Sequence, residues 1–288
     1  MTTTPEFPLL PSVGPTPTTQ IKRVYLIRHG ETDANATGIM QGSGVNLPLS
    51  EKGKQQAFLL GNRFEHTPVD VIVVSTLQRT TETAMYIKKF HPHARIVELK
   101  ELVEISWGEL EAKPPTKQIT DLWRDWENGD FDAAAPGGES PIEVERRAVP
   151  ALYDVIRNSL PEEKHIAVVI HGRLIRVILA SILRNDLSYM NTFHHANTCV
   201  NVLDAAILDE SGAKDAELKR QFVSGVTTRV NKSSAAMIDA VGSHLPTTPS
   251  VSRTNTPQTS TNTVVLNNPE DIVFRGVVLN DCAHLANL

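Results

Sequence analysis

Two short clusters stand where chemistry could begin. Arg28, His29 and Gly30 follow the apolar run 24–27, and His171 with Gly172 follows a second run at 165–170. Cleaving a phosphate ester needs cations for the phosphoryl oxygens, a nucleophile in line and an acid for the departing oxygen. A guanidinium can clamp an oxyanion through paired donors, and a neutral imidazole nitrogen can attack phosphorus. Arg28 and His29 offer that pair, although alone they would read as a surface turn. Taken singly, Arg79 would likewise be a helix-start residue in a surface ion pair, and Glu104 one acid among 33. Together in one pocket, the set would supply every role.

The elements that must position these residues alternate in type. The run 24–27 and the stretches 69–74, 95–99, 165–170 and 199–208 have the apolar character of buried strands. Helices are expected at 50–63, opened by Ser50 and Gly53, and at 79–90, 116–127, 141–160 and 174–183. Such alternation predicts a three-layer α/β/α sandwich around a mainly parallel sheet, which places its site at the C-terminal strand ends. His29 and His171 both fall there.

The residues around these positions carry a family likeness. Arg28, His29, Gly30, Glu31 and Thr32, followed by Asn35, Gln41, Gly42, Pro48, Leu49 and Gly53, resemble the opening of the histidine phosphatase superfamily, which includes the cofactor-dependent phosphoglycerate mutases. Ser75, Leu77, Arg79, Thr80, Thr83 and Ala84 resemble its second arginine motif, and residues 102–111 its acid segment. Residues 136–140 match its Gly-Glu-Ser loop, and His171, Gly172, Ile175 and Arg176 its second histidine motif. Asn197 to Val200 and the terminal His284 and Leu285 also have counterparts, so the likeness spans about 21–208 and 264–285. It implies a phosphoglycerate mutase-like fold with His29 as phosphoryl-accepting nucleophile and Glu104 as proton donor to the leaving group. Arg28 and Arg79 become the phosphate clamps, with Asn35, Gln41 and Gly172 completing the phosphate site.

Physical roles can be assigned to the same positions. His29 must be unprotonated at one nitrogen while the other donates to a backbone carbonyl. His171 suits a cationic donor to developing charge better than a second nucleophile. Glu104, having given up its proton, could activate the water that hydrolyses the phosphohistidine. No metal or cofactor is called for. His194 and His195 lack carboxylate or cysteine companions at ligand spacing and read as solvated or core residues. Where family members commonly follow His-Gly with a small residue, Arg173 stands here; solvent is preferred over a second anionic group of the substrate as its partner. Gly44, Val45 and Asn46 also depart from the usual pattern.

The expected activity is that of a phosphomonoester hydrolase acting on a small phosphorylated metabolite. Glycolytic-type mutases carry a longer excursion between acid and second histidine than the 67 residues from Glu104 to His171, which favours hydrolysis over mutase transfer. A catalytically inactive protein that merely binds a phosphorylated ligand is the remaining alternative. The pocket walls should come from 105–140, where Trp107, Trp123, Trp126 and Phe131 serve either a cleft or the core.

Composition narrows the setting. With 288 residues and 40% hydrophobic content, the chain can bury a sizeable core, and a net charge of −5 gives no field for nucleic acid. Two cysteines make neither a disulfide framework nor a metal motif, and no span is long enough for a membrane. A cytoplasmic protein is expected, with the nucleus as the alternative. Residues 1–20, with five prolines, read as a disordered tail before a single domain at 21–288. Its interruption at about 209–263 is low-complexity in its latter part, where Thr248 and Thr256 precede prolines. Residues 264–266 and 272–279 should form an antiparallel hairpin at the sheet edge.

Overall fold

The computed structural model describes residues 6–11, 19–224, 229–230, 271–286 and 288. Seven strands form one sheet in the order β3-β2-β4-β1-β5-β7-β6. They are β1 (Gln20–Arg28), β2 (Val71–Val74), β3 (Arg95–Glu98), β4 (His165–Ile170), β5 (Val200–Ile207), β6 (Arg229–Val230) and β7 (Ile272–Asp281). The four strands β3, β2, β4 and β1 run parallel, whereas β5 lies antiparallel between β1 and β7. The sandwich expected from the alternation is the fold observed.

Alternation along the central strands builds both halves of the core. Val24, Leu26, Val71, Val73, Ile166 and Val168 face one side, with the helices α4 (Lys117–Glu127), α5 (Pro141–Arg157) and α6 (Gly172–Arg184). Tyr25, Ile27, Ile72, Val74, Ala167 and Val169 face the other, with α2 (Glu51–Arg63) and α3 (Gln78–Lys88). Helix starts follow their caps. The Ser50 hydroxyl accepts from Gly53 N at 3.0 Å, and Ser140 and Glu143 form a reciprocal capping box before Pro141. α3 begins after Leu77, which has no capping side chain; Asn46 supplies one by accepting from Gln78 N at 2.8 Å. One of the unusual loop residues thus caps a helix.

Two expectations need correction. The tail is not disordered throughout, because Phe7 is buried with ring centroids 5.4 Å from Tyr25 and 5.3 Å from Phe64. Arg23 also donates to the carbonyls of Pro8 and Leu9; residues 1–5 and 12–18 lie outside the described residues. The interruption from Asp209 does not begin as irregular chain. It starts with two short helices, α7 (Glu210–Ala213) and α8 (Ala216–Ser224), and Phe222 is buried under the Arg275 guanidinium, 4.5 Å from the ring centroid. The low-complexity part with Thr248 and Thr256 lies outside the described residues. β7 lies between β5, antiparallel to it, and β6, parallel to it, while the 264–266 arm of the expected hairpin lies outside the described residues. The short α1 (Asp33–Ala36) completes the elements near the site.

Candidate active site

Because β1 and β4 are parallel neighbours with Arg28 opposite Ile170, the next residue of each strand emerges at one edge. His29 and His171 therefore meet, with ring centroids 5.3 Å apart. His29 Nδ1 donates to Gly30 O at 2.7 Å, which fixes the tautomer and leaves Nε2 unprotonated. Burial, reinforced by the Arg79 and Arg28 charges, holds this imidazole well below its ordinary pKa. It is the neutral ring that the chemistry requires.

His171 differs from its expected cationic form. Arg79 Nε donates to its Nδ1 at 3.2 Å, so Nε2 carries the proton and gives it to Ser75 Oγ at 2.8 Å. Burial, then the Arg79 charge, depresses its pKa far below the ordinary value. The ring is held neutral. Arg79, expected as a second clamp, is itself fully buried and donates further to Val45 O at 2.7 Å and Gly42 O at 3.2 Å. Burial pulls its pKa down to about 10. The unusual 42–45 turn is thus the cradle of this arginine.

A cavity of about 180 Å³ opens beside His29, and its wall includes Arg28, Asn35, Gln41, Glu104 and Gly172. His171 and Arg79 are not among the residues of that wall and are fully buried. Arg28 is anchored through Nη1 to His195 O at 2.7 Å, while its buried Nε has no partner among the described residues. A Cβ on residue 172 would stand 3.1 Å from that Nε, so glycine makes room for the guanidinium. Gln41 accepts from Thr32 Oγ1 at 2.7 Å, and its buried amide nitrogen is likewise unpartnered. Asn35 Oδ1 accepts from Thr32 N and from Asn197 Nδ2, leaving the amide donors available. Buried donors without acceptors are costly unless an anion or water meets them.

Glu104 sits across the start of α6. Its oxygens accept from the backbone N–H groups of Ile105 at 3.0 Å, Arg173 at 3.0 Å and Leu174 at 2.9 Å. All three partners are donors, so the carboxyl group accepts in each of these bonds. Two of them are orphan donors of the first turn of α6, which explains why an acid is stable there.

Several wall residues went unassigned in the sequence. Arg173, expected in solvent, lines the cavity, with its guanidinium 5.4 to 6.0 Å from the indoles of Trp126, Trp123 and Trp107. Arg176 and His195 also line it; His195 is buried, in keeping with the core half of its expected reading, and adds a cavity-wall position the sequence did not assign. Of the four aromatics proposed as walls, Trp107 reaches the cavity, whereas Trp123, Trp126 and Phe131 belong to the core cluster. The spacing of 173 and 176, three residues apart on α6, was the available signal. Cys199 is a buried free thiol, as expected.

Two histidines converge at parallel strand ends of an α/β/α sheet, with the buried Arg79 bonded to one of them and Arg28 next to the other in sequence. The family model of the histidine phosphatase superfamily, branch 1, matches residues 24–217, and the chain belongs to that superfamily. The probable phosphoglycerate mutase GpmB of Enterobacter sp. (strain 638) is 35% identical over 165 residues, covering 56% of this chain and 74% of that protein. Among solved structures, a mycobacterial glucosyl-3-phosphoglycerate phosphatase superposes with TM-score 0.57 at 24% identity, covering 65% of this chain and 91% of that one. An alpha-ribazole phosphatase from Shigella flexneri gives TM-score 0.56 at 23% identity, covering 65% and 91%. At these identities the two structures establish likeness of fold.

Proposed function

We propose that this protein hydrolyses phosphate monoesters through a phosphohistidine on His29. The observation that carries the reading is the His29 tautomer: Nδ1 is tied to Gly30 O, so the lone pair of Nε2 is available beside an unpartnered arginine donor. Nε2 attacks phosphorus and the bond to the ester oxygen breaks. That oxygen takes a proton from Glu104 in its protonated form. Arg28 Nε and the Gln41 and Asn35 amides donate to the phosphoryl oxygens, while Arg79 adds positive charge. Water then attacks the phosphohistidine, giving its proton to the Glu104 carboxylate, and the imidazole leaves neutral. Every group returns to its starting state, using side chains alone.

His171 is a positioning residue in this scheme. Its bond from Arg79 and its bond to Ser75 hold the ring against His29, and an arriving phosphoryl dianion would favour its protonation. A small phosphorylated metabolite suits the limited cavity, and a reducing cytoplasm suits the free thiols Cys199 and Cys282. Among the described residues, no helix is long and apolar enough to cross a membrane.

The name of the Enterobacter relative favours a second reading, transfer of the phosphoryl group to another hydroxyl of a phosphoglycerate. A screen of phosphorylated metabolites for released inorganic phosphate, with His29→Ala as background, separates the two. Hydrolysis predicts phosphate release that depends on His29. Conversion of 3-phosphoglycerate to 2-phosphoglycerate with a bisphosphoglycerate primer, without net phosphate release, would replace it with the mutase reading.

A further inference from the structure

The cavity wall holds more positive charge than one phosphoryl group accounts for. Besides Arg28 it includes Arg173 and Arg176, three residues apart and so on one face of α6. Arg173 is held in place: Nη1 donates to Asn191 Oδ1 at 3.0 Å and the guanidinium lies over Trp126, Trp123 and Trp107. Arg176 makes no hydrogen bond or ion pair with any described residue. Glu104 is the acidic residue in this wall, and both its oxygens are engaged by backbone N–H groups. Burial and the neighbouring Arg176 charge bring Arg173 down to about 9, and burial with the Arg28 charge also lowers Arg176. Glu104 is the acid that faces these partly buried guanidiniums, and cations that outnumber their counter-charge are held at a cost. An anion that enters would relieve it.

We infer that Arg173 and Arg176 form a second anion subsite, so that the substrate is a phosphate monoester bearing another anionic group, a carboxylate or a second phosphate. This deepens the hydrolase reading and rests on it for the placing of the reacting phosphate at His29. Arg28 and Arg79 serve that phosphate, which leaves Arg173 and Arg176 in the wall as cations that the reacting group does not use. The surplus lies on α6, where the remainder of the ester would extend. The tryptophans fix the direction of Arg173, so the subsite is preorganised rather than assembled on binding.

Binding of non-hydrolysable phosphonates to the full chain tests this without relying on turnover. Titration calorimetry would compare propylphosphonate, 3-phosphonopropanoate and propane-1,3-bisphosphonate. At least one of the two ligands with a second anionic group should bind about tenfold or more tighter than propylphosphonate, as expected for a charge-assisted contact; which of them wins identifies the second group. Arg176→Gln should erase the ratio and Arg176→Lys restore part of it, with circular dichroism reporting the fold of each. Equal binding of all three ligands by the wild type, or an unchanged ratio in both Arg176→Gln and Arg173→Gln, overturns the subsite. A preserved ratio in a protein that releases no phosphate from any monoester would instead sink the hydrolase reading and leave the subsite standing.

Discussion

Acidification from pH 8 to pH 5.5 should destabilise this protein by about 5 to 6 kcal/mol, an amount comparable with the whole stability of many domains. His29, His171, His195 and His284 are all buried, and burial depresses the pKa of each, that of His284 to about 3. A histidine whose folded pKa lies below its unfolded value near 6.5 binds its proton more readily in the unfolded chain. The stability it contributes is therefore complete above about 6.5 and is lost as pH falls toward the folded value. At pH 5.5 each such ring costs about 1.4 kcal/mol, and the four together give the stated sum. Urea unfolding followed by fluorescence at both pH values, with the slope checked for constancy, measures the difference. His284→Gln, outside the cavity wall, should remove about a quarter of it. A loss below about 1.5 kcal/mol, or a pH dependence untouched by that substitution, would refute the claim that these rings are buried and neutral.

Two further outcomes follow from packing. Gly172→Ala should leave stability nearly unchanged, since alanine suits a helix start, but lower kcat/KM about tenfold or more as the new methyl displaces Arg28 Nε 3.1 Å away; unchanged kinetics would contradict this. Phe7→Ala should cost about 3 kcal/mol in urea unfolding with kcat/KM unaffected, because its ring packs between Tyr25 and Phe64 beneath the Arg63 guanidinium at 4.2 Å. A cost near zero would restore the disordered tail.

The convergence of His29 and His171 was legible because each follows an unbroken apolar strand, and adjacent parallel strands deliver their ends to one edge. The helices bearing Arg79 and Arg176 were legible from the alternation of strands and helices, although neither start carries a capping side chain of its own. What could not be read was how the charges are partnered. The carbonyls that hold Arg79 belong to Gly42 and Val45, and main-chain acceptors carry no residue signature. The same obscurity covered the N–H groups around Glu104 and the Arg79 contact that sets the His171 tautomer. Arg173 was misread because its burial depends on Trp123 and Trp126, brought to it from a distant helix. Phe7 was hidden among prolines and threonines that offered no periodicity.

The central claim concerns one covalent bond. Rapid acid-free quenching of the full chain during turnover of 32P-labelled 4-nitrophenyl phosphate, followed by peptide mapping, should find acid-labile, alkali-stable label on His29. His29→Ala, shown to be folded, should neither label nor release phosphate. Label on another residue, or phosphate release that survives that substitution, would contradict the account.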